Sequence, residues 1–483
     1  MIKLFKNQIL IYFLIRYSVY FLQFIISILI AVKLGTYYFG LWSFLLLIMS
    51  YFQIVDFGIP NSISVLLVQN KNKENETKNI IKTSFYLMTV LIGAIILIAS
   101  YYFIFGISYF EKYQVGYYFY ILCFIISFGY FNKLFMSIYR VKNRLNEISF
   151  FQAIIQILVF ISIFLAKEKQ LLNLIIGSYL IGNILSFVVF KYSKDFFSKK
   201  GIFKKDIAKV IINKGWYLFI YNICFYFLAI TVRTVVSVFY SVEDFAFFSF
   251  SYTMANAIIL LLEAMGFVVF PKMIDKLKSK DIKEVKRLIH SIKQQYITLA
   301  YGLIYFALIL FPVLLGFIPK YEEALNSLSL IALIIVMYIN AFGYNTYLIA
   351  NNFEKLISKV LLVILIVNLV LAVGISYLFQ SNYSYTIFSL LISYTIYSIT
   401  LIYYGNQKMG TPKTVFRCFI EGYPLRLLIP HSIAFIIVLK NVNNHIPLTM
   451  LPFIIFLILN KKSLKSIASV FLKILKSPSV INV

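Results

Sequence analysis

The segment Ile9–Val32, ILIYFLIRYSVYFLQFIISILIAV, sets the pattern for the whole chain. It is 24 residues long and contains one charged residue, Arg16. Because an α-helix rises about 1.5 Å per residue, about 20 apolar residues cross the hydrocarbon core of a bilayer. The segment is too long for the apolar core of a signal peptide and lacks a small-residue cleavage site. It therefore predicts a membrane-spanning helix near the N-terminus.

Stretches of this kind recur along the rest of the chain. Hydrophobic residues make up 61% of the 483 residues, well above the share found in soluble domains. The predicted spans are 9–32, 38–68, 83–106, 116–139, 149–166, 171–190, 216–240, 245–270, 295–318, 324–349, 357–379, 386–404, 424–439 and 446–460. The sequence thus predicts an all-α polytopic membrane protein with about 14 transmembrane helices.

Basic residues alternate between the gaps that separate these spans. Of the 45 Lys and Arg residues, 36 lie in every second gap, in the first residues of the spans beside those gaps, or in the tails, and six lie in the remaining gaps. Arg16, Lys133 and Arg233 lie inside spans. Loops rich in Lys and Arg face the cytoplasm. Both termini are therefore predicted to be cytoplasmic, and the basic loops 191–215 and 271–294 are predicted to lie along the membrane surface or to serve as linkers.

The net charge of +27 follows from this topology. The six basic residues of the external gaps are balanced by six acidic ones, so nearly all the charge is on the cytoplasmic side, where it attracts anionic lipid headgroups. We expect no nucleic-acid partner. Cys123, Cys224 and Cys418 show no paired spacing, and no metal site is expected.

The two halves of the chain resemble each other. Phe39-Gly-Leu-Trp-Ser43 and Phe245-Ala-Phe-Phe-Ser249 enter spans 206 positions apart, and an intramembrane acid follows each of them, Asp56 or Glu263. This repeat predicts two six-helix bundles related by a pseudo-twofold axis along the membrane normal, followed by two C-terminal helices. The predicted domains are 1–210, 211–408 and 409–483.

Several of these motifs point to a known family. Gly35-Thr-Tyr-Tyr-Phe-Gly-Leu-Trp-Ser43 followed by Asp56-Phe-Gly-Ile-Pro-Asn-Ser62 resembles the helix 1–2 signature of polysaccharide-exporting lipid flippases of the O-antigen (Wzx) type. The basic turn Arg140-Val-Lys-Asn-Arg144 and the segment ending in Phe270-Pro-Lys272 are similar to other parts of that family. The resemblance covers roughly residues 9–405.

The resemblance implies membership of the superfamily that also contains the MATE multidrug antiporters and the peptidoglycan-precursor flippase. It implies two bundles around a central cavity, alternating access, and no enzymatic activity. One departure is that the helix carrying Arg233 has no acidic residue beside it. The implied function is translocation of undecaprenyl-pyrophosphate-linked oligosaccharide repeat units, of O-antigen or a related polysaccharide, from the cytoplasmic to the periplasmic leaflet of the bacterial inner membrane.

Five ionisable residues inside the spans are the candidate site residues. Each costs about 2.5–3.5 kcal/mol to insert at a helix centre. Arg16, Arg233 and Lys133 are candidates for binding pyrophosphate in the cavity, with snorkelling to the interface as the alternative, favoured for Lys133. Asp56 and Glu263 are candidates for ion coupling or for a cavity ion pair.

For Asp56, pairing with Arg16, binding of a coupling proton or sodium ion, and a cap at the Gly58–Pro60 helix break all stay open. No cofactor beyond such a coupling ion is expected. His431 is interpreted as a peripheral hydrogen-bonded residue.

The expected partners are the lipid-linked oligosaccharide, membrane lipids, and a polysaccharide polymerase and chain-length regulator. The main alternative function is a multidrug or cation antiporter of the same superfamily. An O-antigen polymerase is disfavoured because the external loops are short.

Overall fold

The computed structural model describes residues 8–70, 73–105, 108–142, 144–192, 201–277, 281–380 and 382–476. Within these residues the secondary structure is helical, without strands. This agrees with the all-α prediction.

The chain divides into two compact units, residues 1–246 and 247–483. The helices of the first unit are α1 (Gln8–Ile54), α2 (Ile59–Gln69), α3 (Glu74–Ile104), α4 (Ser108–Lys112), α5 (Val115–Val141), α6 (Leu145–Leu165), α7 (Glu168–Tyr192) and α8 (Lys205–Phe239). Helix α1 packs against α6 and α7, and α2 packs between α5 and α8. The predicted boundary at 210/211 lies inside α8, and as a division into six-helix bundles it stays a prediction.

The second unit begins within α9 (Val242–Leu277). Its other helices are α10 (Ile282–Gly316), α11 (Leu325–Ile335), α12 (Tyr344–Ala350), α13 (Glu354–Leu378), α14 (Phe388–Lys408), α15 (Val415–Gly422), α16 (Leu425–Leu439), α17 (Ile446–Leu459) and α18 (Lys461–Lys476). A 3-10 segment, Val336–Ala341, joins α11 to the break before α12. The core of this unit lies along α11 and that segment, whose residues 327–337 are all buried.

Ten helical stretches among the described residues are long and apolar enough to cross a membrane, or up to twelve if two bent helix pairs each count as one span. The chain is therefore a multi-pass membrane protein. The predicted total of about 14 is not confirmed. One of the ten stretches, Ile15–Gln69, covers the two predicted spans 9–32 and 38–68. Helix α1 is broken between these two spans at Gly35, where φ is +71°. Glycine adopts such a φ without a steric penalty.

The basic segments 191–215 and 271–294, predicted to be surface segments or linkers, differ from that prediction in their described parts, and residues 193–200 and 278–280 lie outside the described residues. The sequence 205–215 is the first part of α8, which continues without interruption to Phe239. Likewise, 282–294 is the first part of the 35-residue α10. Both basic segments thus extend membrane-crossing helices instead of forming separate surface helices, because their apolar positions continue the helical pattern of the span that follows.

The motif Gly35–Ser43 serves to pack α1 against neighbouring helices. A Cβ atom placed on Gly40 would lie 2.4 Å from the carbonyl oxygen of Val242. The first residue of α9 therefore packs closely against α1 only because position 40 has no side chain. The ring of Trp42 meets Tyr179 of α7 edge-on, with 5.2 Å between the ring centroids. Phe44 stacks on Tyr113 at 4.0 Å. These residues position α1 within the first unit and carry no chemistry themselves.

Candidate functional site

The first unit contains a break in a membrane helix at residues 55–58. Helix α1 ends at Ile54, and α2 begins at Ile59. Phe57 and Gly58 both have positive φ, 49° and 66°. The Asp56 carboxylate accepts a hydrogen bond from the Gly58 backbone N–H at 2.9 Å, which fixes the turn. Pro60 in the first turn of α2 lacks an N–H group, so it fits a helix start better than a helix interior.

Two side chains of α5 satisfy the backbone groups that this break releases. The Tyr130 hydroxyl is shared between the carbonyl oxygens of Phe52 and Val55, the latter at 2.9 Å. The Lys133 ammonium donates to the carbonyl oxygen of Gln53 at 3.0 Å. A backbone carbonyl left without a donor in the membrane costs several kcal/mol. The break is therefore held in place by α5, on which Tyr130 and Lys133 lie one turn apart.

Lys133 also forms an ion pair with Asp56. The Asp56 side chain is 8% exposed, whereas the Lys133 side chain is 46% exposed. A buried carboxylate is thus neutralised by the ammonium group of a half-exposed lysine side chain. This pairing decides two open alternatives: the partner of Asp56 is Lys133 instead of Arg16, and Lys133 turns toward the helix break instead of snorkelling to the interface.

An aromatic cluster anchors the same break to α8. The ring of Phe57 stacks on Phe219, with 5.2 Å between ring centroids, and on Trp216, at 6.2 Å. Phe57 has an unusual φ for a residue with a bulky side chain, and these stacking contacts help to offset that strain. The break thus connects α5 on one side with α8 on the other.

Arg233 lies farther along α8 and meets α1 well away from the break. One of its terminal nitrogens donates to the carbonyl oxygen of Ser43 at 3.4 Å. Ser43 lies 11 residues before the end of α1, about 16 Å along the helix. The next residue, Thr234, is hydrogen-bonded to the Tyr51 hydroxyl. Arg233 therefore contacts α1 before the break, whereas the Asp56–Lys133 pair lies at the break itself, against α5.

Arg16 lies on the half of α1 that precedes Gly35. Its Nε donates to the Tyr20 hydroxyl at 2.8 Å, and its guanidinium lies 5.5 Å from the centroid of that ring. This i,i+4 pair keeps the guanidinium on the helix surface, with the side chain partly buried. As pyrophosphate ligands, Arg16, Arg233 and Lys133 stay predictions. Glu263 lies on α9 in the stretch 261–275, whose side chains are outside the described part of the structure.

The sequence analysis missed Tyr130 and Phe57. Tyr130 is one of 38 tyrosines, so its type alone carries little information. A usable signal was its position three residues before an intramembrane lysine, since both side chains then lie on one helix face. For Phe57, the signal was its place next to Gly58–Pro60, where a break exposes backbone groups.

The chain was compared with known proteins. The family model described as "Polysaccharide biosynthesis protein" matches residues 5–276. No curated protein sequence gives a significant match.

Solved structures with a similar fold include "Lipid II flippase MurJ, inward closed conformation", with a TM-score of 0.69, 16% identity, and coverage of 94% of this chain and 99% of that chain. An inward-facing multidrug resistance MATE family transporter of the MOP superfamily gives a TM-score of 0.68 at 11% identity, covering 82% of this chain and 98% of that one. A MOP superfamily transporter from Pyrococcus furiosus gives 0.58 at 14% identity, covering 83% and 94%. At these identities the likeness concerns the fold.

Proposed function

This chain belongs to the polysaccharide biosynthesis protein family, and from that membership we propose that it is a flippase for polyprenyl-pyrophosphate-linked oligosaccharide repeat units. Its cargo would be an O-antigen or related repeat unit on undecaprenyl pyrophosphate. The direction would be from the cytoplasmic to the periplasmic leaflet of the bacterial inner membrane, with both termini cytoplasmic. A fold shared with a lipid II flippase supports a lipid-linked cargo.

The observation that carries the proposal is the ion pair at the helix break. Lys133 carries its charge on a half-exposed side chain, and that charge is balanced by the buried Asp56. Uptake of a proton by Asp56 removes that balance and frees the ammonium to bind a phosphate oxygen. Release of the cargo and loss of the proton from Asp56 then restore the ion pair. In this scheme Asp56 couples transport to protons, and Lys133 is the first phosphate ligand.

Arg16 and Arg233 extend the positive charge of the first unit. A guanidinium presents a planar fork of donors that matches the oxygens of a pyrophosphate. Both arginines lie in the first unit, which consists of helices α1 to α8 and also contains Lys133. Together the three cations are sufficient to compensate the negative charge of a pyrophosphate diester linkage. The polyprenyl chain, being apolar, stays in the lipid.

The test is transport of a lipid-linked repeat unit in inverted vesicles, read out as its accessibility to a membrane-impermeant lectin or glycosidase. The double variant Arg16→Ala/Arg233→Ala and the single variant Lys133→Met should lower the rate at least tenfold. The matched control is Lys320→Ala, which removes one exposed charge from the 3-10 helix Pro319–Ala324. Full transport by the Arg16→Ala/Arg233→Ala variant would exclude both arginines from the mechanism.

A multidrug or cation antiporter is the second candidate, because the fold is also that of MATE transporters. A site for organic cations needs excess negative charge, whereas the described site residues of the first unit include three cations and one acid. Cation efflux by a deletion-complemented strain, together with unchanged surface polysaccharide, would favour this candidate over the flippase. A polysaccharide polymerase and a chain-length regulator are proposed partners of the flippase.

A further inference from the structure

Near the end of the second unit, helices α16 and α17 each join a further helix through a sharp bend, and both bends lie at the same end of the α16–α17 pair. Helices α16 and α17 are joined by the short connection 440–445 and pack against each other. The start of α16 therefore lies beside the end of α17. Helix α15 meets α16 at 72°, and the α18 segment Lys461–Ser469 meets α17 at 74°. If α16 and α17 cross the bilayer, α15 and α18 lie close to the membrane plane.

Hydrogen bonds fix the depth of α18 against α10. Gln294 of α10 donates to the Ser463 hydroxyl at 2.7 Å, and Gln295 donates to the Ser466 hydroxyl at 3.3 Å. Arg426 of α16 donates to the same Ser463 oxygen at 2.8 Å. The first turn of α18 is thus attached at the level of residues 294–295 of α10.

A polar cluster fixes α15 at almost the same depth. Lys293 of α10, which is 7% exposed, donates to the backbone carbonyl of Glu421 at 3.1 Å. The Glu421 carboxylate accepts hydrogen bonds from Lys413 at 2.9 Å, from Asn406 at 3.2 Å and from the Tyr344 hydroxyl. Helix α15 is therefore attached at residue 293, next to the attachment points of α18.

This level of α10 is where its charged part ends. Between residues 282 and 293 the sequence contains Lys283, Glu284, Lys286, Arg287 and Lys293, whereas residues 294–319 contain no charged side chain. Such a change from charged to apolar residues along one helix marks the boundary between water and hydrocarbon. Helices α15 and α18 are therefore placed at headgroup depth by their contacts with α10.

The exposed faces of the two helices suit that depth. On α15, Val415, Phe416 and Ile420 are 61%, 71% and 50% exposed, as expected for side chains directed into lipid. On α18, Lys461, Lys462 and Lys465 are exposed. The last 62 residues of the chain contain seven basic residues and no acidic one, so an anionic surface meets no repulsion there.

We propose that α15 and α18 form an interfacial collar that binds anionic phospholipid headgroups of the surrounding leaflet. The three exposed lysines of α18 supply the attraction, and the apolar residues of α15 anchor the collar in the acyl region. The cluster around Glu421 and the contacts of Ser463 hold both helices on α10. This binding concerns bulk membrane lipid and does not depend on what the protein transports.

The first test is native mass spectrometry of the full chain in detergent, titrated with phosphatidylglycerol or phosphatidylcholine. The triple variant Lys461→Gln/Lys462→Gln/Lys465→Gln should lose about fivefold in phosphatidylglycerol affinity per lysine, or roughly 100-fold in all, since each surface lysine contributes about 1 kcal/mol. Phosphatidylcholine binding should stay unchanged.

The matched control is Lys167→Gln/Lys169→Gln/Lys320→Gln, which removes three exposed lysines that lie outside α15 and α18. It should keep its phosphatidylglycerol affinity within about twofold, because none of these lysines belongs to the proposed collar. Equal losses in the two triple variants, or no lipid discrimination by the wild type, would overturn the proposal.

The second test measures depth by spin labelling in vesicles of phosphatidylcholine with 30% phosphatidylglycerol, about the charge of an anionic leaflet. Labels at Phe416→Cys and Lys462→Cys are compared with one at Lys283→Cys, in a chain with Cys123, Cys224 and Cys418 replaced by Ala. The label at 416 should collide with oxygen, and the label at 462 should lie at headgroup depth. If both labels were as water-accessible as the one at 283, the collar would not lie in the interface.

Discussion

The Lys133 ammonium of α5 pairs with the Asp56 carboxylate and also binds the carbonyl oxygen of Gln53, so one lysine holds both the charge and the backbone of a helix break. Lys133 therefore neutralises a buried carboxylate and also stabilises the backbone of the break. Any change in the charge of Asp56 therefore acts directly on the geometry of the break between α1 and α2.

This relationship predicts strong energetic coupling between the two residues. Asp56→Asn and Lys133→Met should each destabilise the protein in detergent by about 1–3 kcal/mol, because each leaves the other group without its partner. The double variant should lose less than the sum, with a coupling energy of about 0.5–3 kcal/mol. Thermal unfolding of the four proteins in one detergent measures this cycle. Additive losses would mean that the pair contributes no stability of its own.

The Tyr130 hydroxyl is predicted to stabilise the break independently of charge. Tyr130→Phe removes one oxygen atom and leaves the carbonyl groups of Phe52 and Val55 without this donor. The expected cost is about 1–3 kcal/mol. Tyr120→Phe on the exposed face of the same helix is the control, since its ring is 64% exposed. A melting temperature equally unaffected in both variants would contradict the role assigned to Tyr130.

Gly40 is predicted to tolerate no side chain. Gly40→Ala places a Cβ atom 2.4 Å from the carbonyl oxygen of Val242, so α1 and the start of α9 must separate. We expect a loss of several kcal/mol or a failure to accumulate in the membrane. Gly177→Ala, whose Cβ meets nothing within 4 Å, should be neutral or stabilising by up to about 1 kcal/mol. Fluorescence-detected size-exclusion chromatography compares the two directly.

The Glu421 cluster is predicted to hold α15 on the second unit. Glu421→Ala removes the acceptor for Lys413, Asn406 and Tyr344 and should cost about 2–4 kcal/mol. Glu322→Ala, which changes an exposed acid in the 3-10 helix Pro319–Ala324, is the control and should change stability by less than about 0.5 kcal/mol. Limited proteolysis should cleave near residues 410–424 faster in the first variant only. Unchanged cleavage would mean that α15 is held by its apolar contacts.

Much of the fold could be predicted because a bilayer restricts a chain to few solutions. Ile9–Val32 and the stretches like it identified an all-helical multi-pass protein, since only helices satisfy their own backbone in lipid over such lengths. The resemblance of Gly35–Ser43 and Asp56–Ser62 identified the family. The break at Gly58–Pro60 was also visible, because proline interrupts the hydrogen bonds of a helix.

The partners at that break could not be predicted. Asp56 lies 77 positions from Lys133, and the partner that the sequence suggested for Asp56 was Arg16. The sides that α5 and α8 turn toward α1 depend on the packing of many apolar residues, which the charged residues do not reveal. The positions of surface helices could not be predicted either. The basic segments near 205 and 283 had the composition of surface helices but became parts of α8 and α10, whereas α15 and α18 bend away from the helices next to them in the chain.

The sequence by itself determined that this protein is helical and crosses a membrane many times, because the free energy of placing apolar and charged residues in lipid is set residue by residue. Only the tertiary structure decided that Lys133 neutralises Asp56, that Tyr130 closes the broken helix end, and that Glu421 holds α15 against α10. Those contacts join residues far apart in the chain, and their geometry follows from how whole helices pack.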